Sequence, residues 1–217
     1  MPASNFQVRV LSAVVLLPPV VAAAYYGRPW FDLLVVVFAA AMMWEWVVMA
    51  GRQALWLVVG AVYILAACYV LHDLRGATAG GRDVLFFVFV VTWTTDTGAY
   101  LTGRAFGGPK LAPRVSPSKT WSGAAGGLLF GVGAGILLWW LLRDAADFAV
   151  AGVAAAASVA CQLGDLLESA AKRHFAVKDS GNLIPGHGGI LDRVDGLLAA
   201  ALAVGIGAAI AGWSGFE

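Results

Sequence analysis

Long apolar runs divided by short polar stretches organise this chain. Windows long enough to cross a bilayer as a helix, about 20 residues, fall at 8 to 26, 30 to 50, 54 to 72, 84 to 103, 121 to 142, 147 to 167 and 190 to 213. The pattern predicts an all-α polytopic membrane bundle of about seven helices, built as one membrane-embedded domain over 1 to 217. No internal repeat, low-complexity tail or separate soluble domain interrupts it. The first run follows Arg9 and ends in Ala22-Ala23-Ala24, which imitates a cleavable signal peptide. The Pro18-Pro19 pair and the spans that follow suit a retained first helix, and retention is expected.

Composition agrees with that pattern. The 217 residues are 60% apolar and 12% charged, with mean hydropathy +0.81. Soluble domains carry about 45–50% apolar and about 25% charged residues, so a soluble fold, a disordered chain and a disulfide scaffold are excluded. A net charge of +1 and a pI near 7.8 leave no basic excess for a nucleic-acid partner. Cys68 and Cys161 both fall within spans and read as packing residues without a redox or metal role. Gly123, Gly127, Gly131 and Gly135 recur at every fourth position of the fifth span, which lets a neighbouring helix approach closely. Packing within the chain is the favoured explanation, ahead of a dimer contact.

The position of the charges says more than their number. Arg9, Arg52, Arg104, Lys110, Arg114, Lys119, Lys172, Arg173, Lys178 and Arg193, ten of the 14 basic residues, fall on one set of connections. Arg28, Arg75, Arg82 and Arg143 fall on the other. Cytoplasmic loops retain Lys and Arg, so the N-terminus is expected in the cytoplasm and the C-terminus outside. Two polar islands, 104 to 120 and 168 to 193, then face the cytoplasm.

Acids inside spans are costly and mark candidate functional sites. Glu45 stands between Trp44 and Trp46, where an interfacial aromatic belt is the simple explanation and function an equal alternative. Asp165 and Glu168 are three residues apart and share a helix face, as do Asp192 and Asp195. If those faces meet, two to four carboxylates converge, and mutual repulsion calls for a cation. An all-oxygen donor set favours a hard ion such as Mg2+. Capping of the last helix explains one of these acids but leaves Asp165 unexplained. Lys172, Arg173, Lys178, His187 and Arg193 surround them, and Gly181, Pro185, Gly186, Gly188 and Gly189 forbid a continuous helix between. Glycines that admit a bulky anion, followed by a helix N-terminus, describe a polyphosphate pocket. Lipid headgroup binding by a basic loop is the plainer alternative. In the other island Ser116 to Thr120 imitates a P-loop, but Pro113 and Ser118 occupy the positions that require glycine. What remains is Lys119 with hydroxyl neighbours at a helix start, preceded by Asp96, able to hold a second anion or complete a metal shell.

The run S-A-A-K-R-H-F-A-V-K-D-S-G-N-L-I-P-G-H-G-G-I-L-D-R-V-D, Ser169 to Asp195, resembles the signature of the phosphatidate cytidylyltransferases, also called CDP-diacylglycerol synthases. Similarity extends to T-D-T-G-A-Y, L-A-P-R-V-S-P-S-K-T-W-S-G, G-D-L-L-E-S, R-V-L-S-A-V-V-L-L-P and W-E-W, covering nearly the whole chain. The resemblance implies an integral-membrane nucleotidyltransferase of phospholipid biosynthesis that joins CTP to phosphatidic acid, giving CDP-diacylglycerol and pyrophosphate. It implies Asp165 and Asp192 as principal ligands of Mg2+ and an adjacent K+, with Glu168 and Asp195 as further candidates. Lys172, Arg173, Lys178 and Arg193 would neutralise phosphates, and Ser116 and Lys119 would contribute from the other island. Asp96 would hold metal or orient substrate, and His187 would donate to a phosphate oxygen. The chain is shorter than the family's usual bacterial length, by what looks like two helices between Gly51 and Arg82, which leaves the family's helix count and homodimer contact open here. Two rival readings are a CTP-dependent polyprenol kinase and a small ion-coupled transporter. The second expects paired interrupted helices in related halves, and the chain has no such repeat.

Overall fold

The computed structural model describes residues 5–76, 79–144, 148–184 and 188–211. Seven helices run through them: α1 (Asn5–Tyr26), α2 (Trp30–Ala50), α3 (Ala54–Arg75), α4 (Ala79–Phe106), α5 (Trp121–Arg143), α6 (Phe148–His174) and α7 (Leu191–Ala211). Six are long and apolar enough to cross a membrane, and α1 adds a shorter apolar stretch, Val14–Tyr26. The protein is therefore a multi-pass helical membrane protein. Bulky apolar side chains point outward along it, as at Leu55, Val58, Val62 and Leu65 of α3, the arrangement expected when lipid is the solvent.

Two features depart from the apolar windows. The sixth helix continues to His174 instead of ending near 167, so Glu168, Lys172 and Arg173 are helical and not part of a loop. The first island contains an antiparallel hairpin, β1 (Lys110–Ala112) and β2 (Ser116–Thr120), with Lys110 opposite Thr120 and Ala112 opposite Ser116. Thr120 ends the hairpin and caps α5, its Oγ1 accepting from Gly123 N at 3.1 Å.

Helix α4 lies at the centre of the bundle, with Val84, Leu85, Val88, Val91 and Thr95 almost fully buried. Its main partner is α5, and the glycine stripe is the reason. A Cβ on Gly127 would stand 2.9 Å from Thr95 O, and one on Gly131 would stand 2.4 Å from Thr95 Oγ1. The stripe serves packing inside this chain, as favoured from the spacing. Thr95 Oγ1 donates to Ser158 Oγ of α6 at 2.9 Å in the same dry contact, which ties the third helix to this pair.

Polar contacts gather at the two ends of the bundle. At one end Arg75, 6% exposed, donates from Nε to Ala24 O at 2.6 Å and from Nη2 to Tyr25 O at 3.0 Å, satisfying carbonyls at the end of α1. Arg143 pairs there with Asp83 at 3.2 Å. At the other end lie the hairpin, the last turn of α6, the first turn of α7 and the α6–α7 connection.

Candidate active site

The 3.6-residue period places Asp165, Glu168 and Lys172 along one face of α6, and the last turns of α6 pack against the first turns of α7. Lys172 Nζ consequently sits between two acids, 2.8 Å from Glu168 Oε2 and 2.7 Å from Asp192 Oδ1. Asp165 is neutralised from another direction: the hairpin delivers Lys119, whose Nζ is 2.6 Å from Asp165 Oδ2. Ser169, one turn further along α6, donates to Asp165 Oδ1 at 3.3 Å. The two islands, far apart in sequence, thus close on one acidic centre.

Asp192 does more than cap its helix. Its Oδ2 accepts from Ser180 N and Gly189 N, both at 2.9 Å, while Oδ1 faces Lys172. Asp96, Asp165, Asp179, Asp192 and Asp195 line a polar chamber of about 280 Å3 together with Lys172 and Arg193. Two other cavities open beside it, and Asp96 belongs to all three. One is an apolar groove of about 350 Å3 that runs past Leu17, Val20, Phe38, Phe89 and Trp93 to Asp96 and Asp195. The other is a polar cleft of about 440 Å3 beneath the hairpin, lined by Tyr100, Arg104, Ser118, Lys119, Gln162 and Asp165 among others. Arg104 Nη1 donates there to the Tyr100 hydroxyl at 2.8 Å.

Among the described residues no three acid, His or Cys side chains converge tightly enough to form a ready cation site. The donors still suit a hard ion. The acidic side chains of the chamber present carboxylate oxygens, Glu168 Oε1 is buried without a hydrogen-bond partner among the described residues, and Asp195 stands near enough to interact with Glu168. Mg2+ characteristically takes one or two carboxylates and completes its shell with water and phosphate oxygens.

Not every residue singled out from the sequence reaches the chamber. Arg193 lines both the chamber and the groove. Arg173 is exposed and donates to Val177 O at 3.2 Å, and Lys178 is exposed on the connection. Ser116 sits in the hairpin opposite Ala112, while Ser118 and Thr120 of the same strand line the cleft. His187, with Pro185 and Gly186, lies outside the described residues, as does the side chain of Arg9. Asp179, Tyr100, Arg104 and Gln162 join the lining without having been singled out. Asp179 and Tyr100 stand inside quoted runs and Arg104 opens the first polar island, but Gln162 carries no pattern that marks it before the helices are assembled.

Glu45 is the largest surprise. It is no belt residue: only 2% is exposed, although Trp44 beside it is 66% exposed. Its Oε1 accepts from Ile190 N at 2.8 Å, and its Oε2 accepts from Leu191 N at 2.9 Å and Ser180 Oγ at 3.3 Å. The backbone donors at the start of α7 therefore point at the protein's own carboxylates, where the sequence suggested a phosphate.

Comparison with known proteins adds a second, independent line. Residues 50–210 match the model of the cytidylyltransferase family. A phosphatidate cytidylyltransferase of Brucella suis is 37% identical over 246 residues, covering 91% of this chain and 91% of that protein. One from Rickettsia bellii is 34% identical over 209 residues, covering 91% and 88%, and one from Bacillus subtilis is 41% identical over 143 residues, covering 64% and 52%. The Brucella match is longer than the 217 residues of this chain, so that relative carries inserted segment that this chain lacks.

Proposed function

This chain belongs to the cytidylyltransferase family, and from that premise we propose that it joins CTP to phosphatidic acid, giving CDP-diacylglycerol and pyrophosphate. The observation that carries this reading is the meeting of an apolar groove, a polar cleft and an acidic chamber at Asp96. A reaction between a membrane lipid and a water-soluble nucleotide needs an apolar approach and a polar approach to one reacting centre. In this assignment the acyl chains take the groove, the nucleoside end of CTP takes the cleft, and the phosphates meet in the chamber.

A phosphatidate oxygen attacks the α phosphorus of CTP in line. A new phosphorus–oxygen bond forms while the bond from that phosphorus to its bridging oxygen breaks, and the electron pair leaves with pyrophosphate. No general base is required, because a phosphomonoester is largely ionised near pH 7. Positioning and charge neutralisation then carry the rate. Lys119 and Lys172, which hold aspartates in this structure, are placed to meet phosphate oxygens when substrate enters. Arg193 supports them from the groove side, and Arg173, Lys178, His187 and Ser116 are assigned outer contacts with the triphosphate or the lipid phosphate.

We assign Mg2+ as cofactor, with Asp165 and Asp192 as principal ligands, Glu168 and Asp195 as further donors, and a K+ site beside it. A bound divalent ion would polarise phosphate oxygens and offset the charge that develops on them. We assign this end to the cytoplasmic side of the cell membrane, with the N-terminus also inside, a reading supported by the basic residues clustered there. Purified protein in detergent is expected to release pyrophosphate only when CTP, phosphatidate and Mg2+ are all present. Failure to release it under those conditions, or equal release without phosphatidate, contradicts the assignment.

A further inference from the structure

Glu45 reaches the α6–α7 connection from α2, 135 residues upstream of the Ser180 hydroxyl that it accepts. A carboxylate this deeply buried is costly unless it is fully hydrogen-bonded, and its donors are two groups of the α6–α7 connection, Ser180 Oγ and Ile190 N, and one at the first residue of α7, Leu191 N. Two glycines make that embrace possible. A Cβ on Gly181 would lie 2.7 Å from Glu45 Oε1, and one on Gly189 would lie 2.7 Å from Oε2. Neither could carry a side chain with the carboxylate in place.

The neighbouring residue holds the other end of the same connection. Trp46 packs edge-on against Phe175, with ring centroids 6.0 Å apart, at the point where α6 gives way to the loop. Its indole N–H donates to Trp56 O at 2.8 Å, which fixes the ring against α3. Ser180 links the two acids of the site, since its hydroxyl donates to Glu45 while its backbone N–H donates to Asp192. We propose that Glu45 is a positioning residue: its carboxylate clamps the α6–α7 connection onto the first turn of α7 and thereby holds Asp192 in the acidic chamber.

A residue serving only fold stability would melt the whole bundle when altered, whereas a clamp releases one connection. Glu45→Gln keeps the shape but replaces one acceptor oxygen with an amide donor facing a backbone N–H. The expected result is a fall in kcat of about tenfold or more, in the range of residues that orient a ligand, with KM for CTP nearly unchanged. Hydrogen–deuterium exchange at the Ile190 and Leu191 amides should quicken while α4 and α5 stay protected. Ser180→Ala cuts only the hydroxyl link and should lower kcat in the same way by a smaller factor. If Glu45→Gln does not survive extraction, the Ser180→Ala result decides alone. Wild-type kcat and exchange in the variant that is measured, or faster exchange spread evenly over α2 to α7, overturns the proposal. The kinetic arm rests on the transfer reaction proposed above, but the exchange arm does not. A wild-type protein without that activity removes the reaction and leaves the clamp to be judged by exchange.

Discussion

Lys119 and Lys172 each neutralise one of the two aspartates assigned to the metal, and they arrive from different elements. Removing one lysine therefore alters one side of the chamber. Lys119→Ala is expected to raise KM for CTP about tenfold, in keeping with loss of a charge-assisted contact, while the detergent melting temperature changes little. A titration with CTP checks this, and an unchanged KM removes Lys119 from the substrate. Asp165→Asn should reduce turnover by at least about a hundredfold in protein that still extracts and melts as wild type does. Full activity would exclude Asp165 from the centre. At this scale the acids were legible where helical spacing reveals them: Asp165 with Glu168, and Asp192 with Asp195, stand three apart. Glu45 was not, because its donors lie far along the chain and nothing in W-E-W distinguishes an acid facing a membrane interface from one folded under a distant loop.

Between helices, the glycines of α5 permit an approach that any side chain would prevent. Gly131→Leu forces a methylene into Thr95 Oγ1 and breaks the Thr95–Ser158 hydrogen bond. Overpacking of this kind costs about 1–3 kcal/mol and should lower the melting temperature measured in detergent. Gly133, with nothing within 4 Å of an added Cβ, is the control: Gly133→Leu is expected to melt as wild type does. Equal destabilisation by both would mean that the α4–α5 contact is not responsible, since replacing glycine by leucine favours the helix itself. The stripe was legible because its four-residue period belongs to the helix itself. The end of α6 was not, since an apolar window stops where polar residues begin although the helix does not. Lys172, Arg173 and His174 occupy its last turn, where the helix dipole favours cations. The hairpin escaped notice because two short strands around a turn give no periodicity, and Pro113 and Pro117 reinforce the reading as loop.

For the molecule as a whole, the seven apolar runs and the gathering of both polar islands at one end could be read directly from the chain, because a bilayer dictates span length and charge placement more strictly than water does. The cavities could not, since they form between helices that only tertiary packing brings together. Orientation can be measured independently of activity. Ser116→Cys should react with a membrane-impermeant thiol reagent only when the cytoplasmic face is exposed, and Arg28→Cys only from the opposite face; the reverse pattern would place the chamber outside the cell. Stripping divalent ions should abolish turnover and Mg2+ should restore it, whereas full activity after chelation would remove the ion from the centre.

The central claim is that the α phosphorus of CTP is transferred to phosphatidate, and the position of a label tests it most directly. Protein purified in detergent with phosphatidate and Mg2+ is given CTP labelled at the α phosphate in one reaction and at the γ phosphate in another. The α label is expected to enter the lipid phase and the γ label to leave as pyrophosphate. Entry of the γ label into lipid instead would make the protein a lipid kinase, and absence of both labels from lipid would contradict transfer altogether.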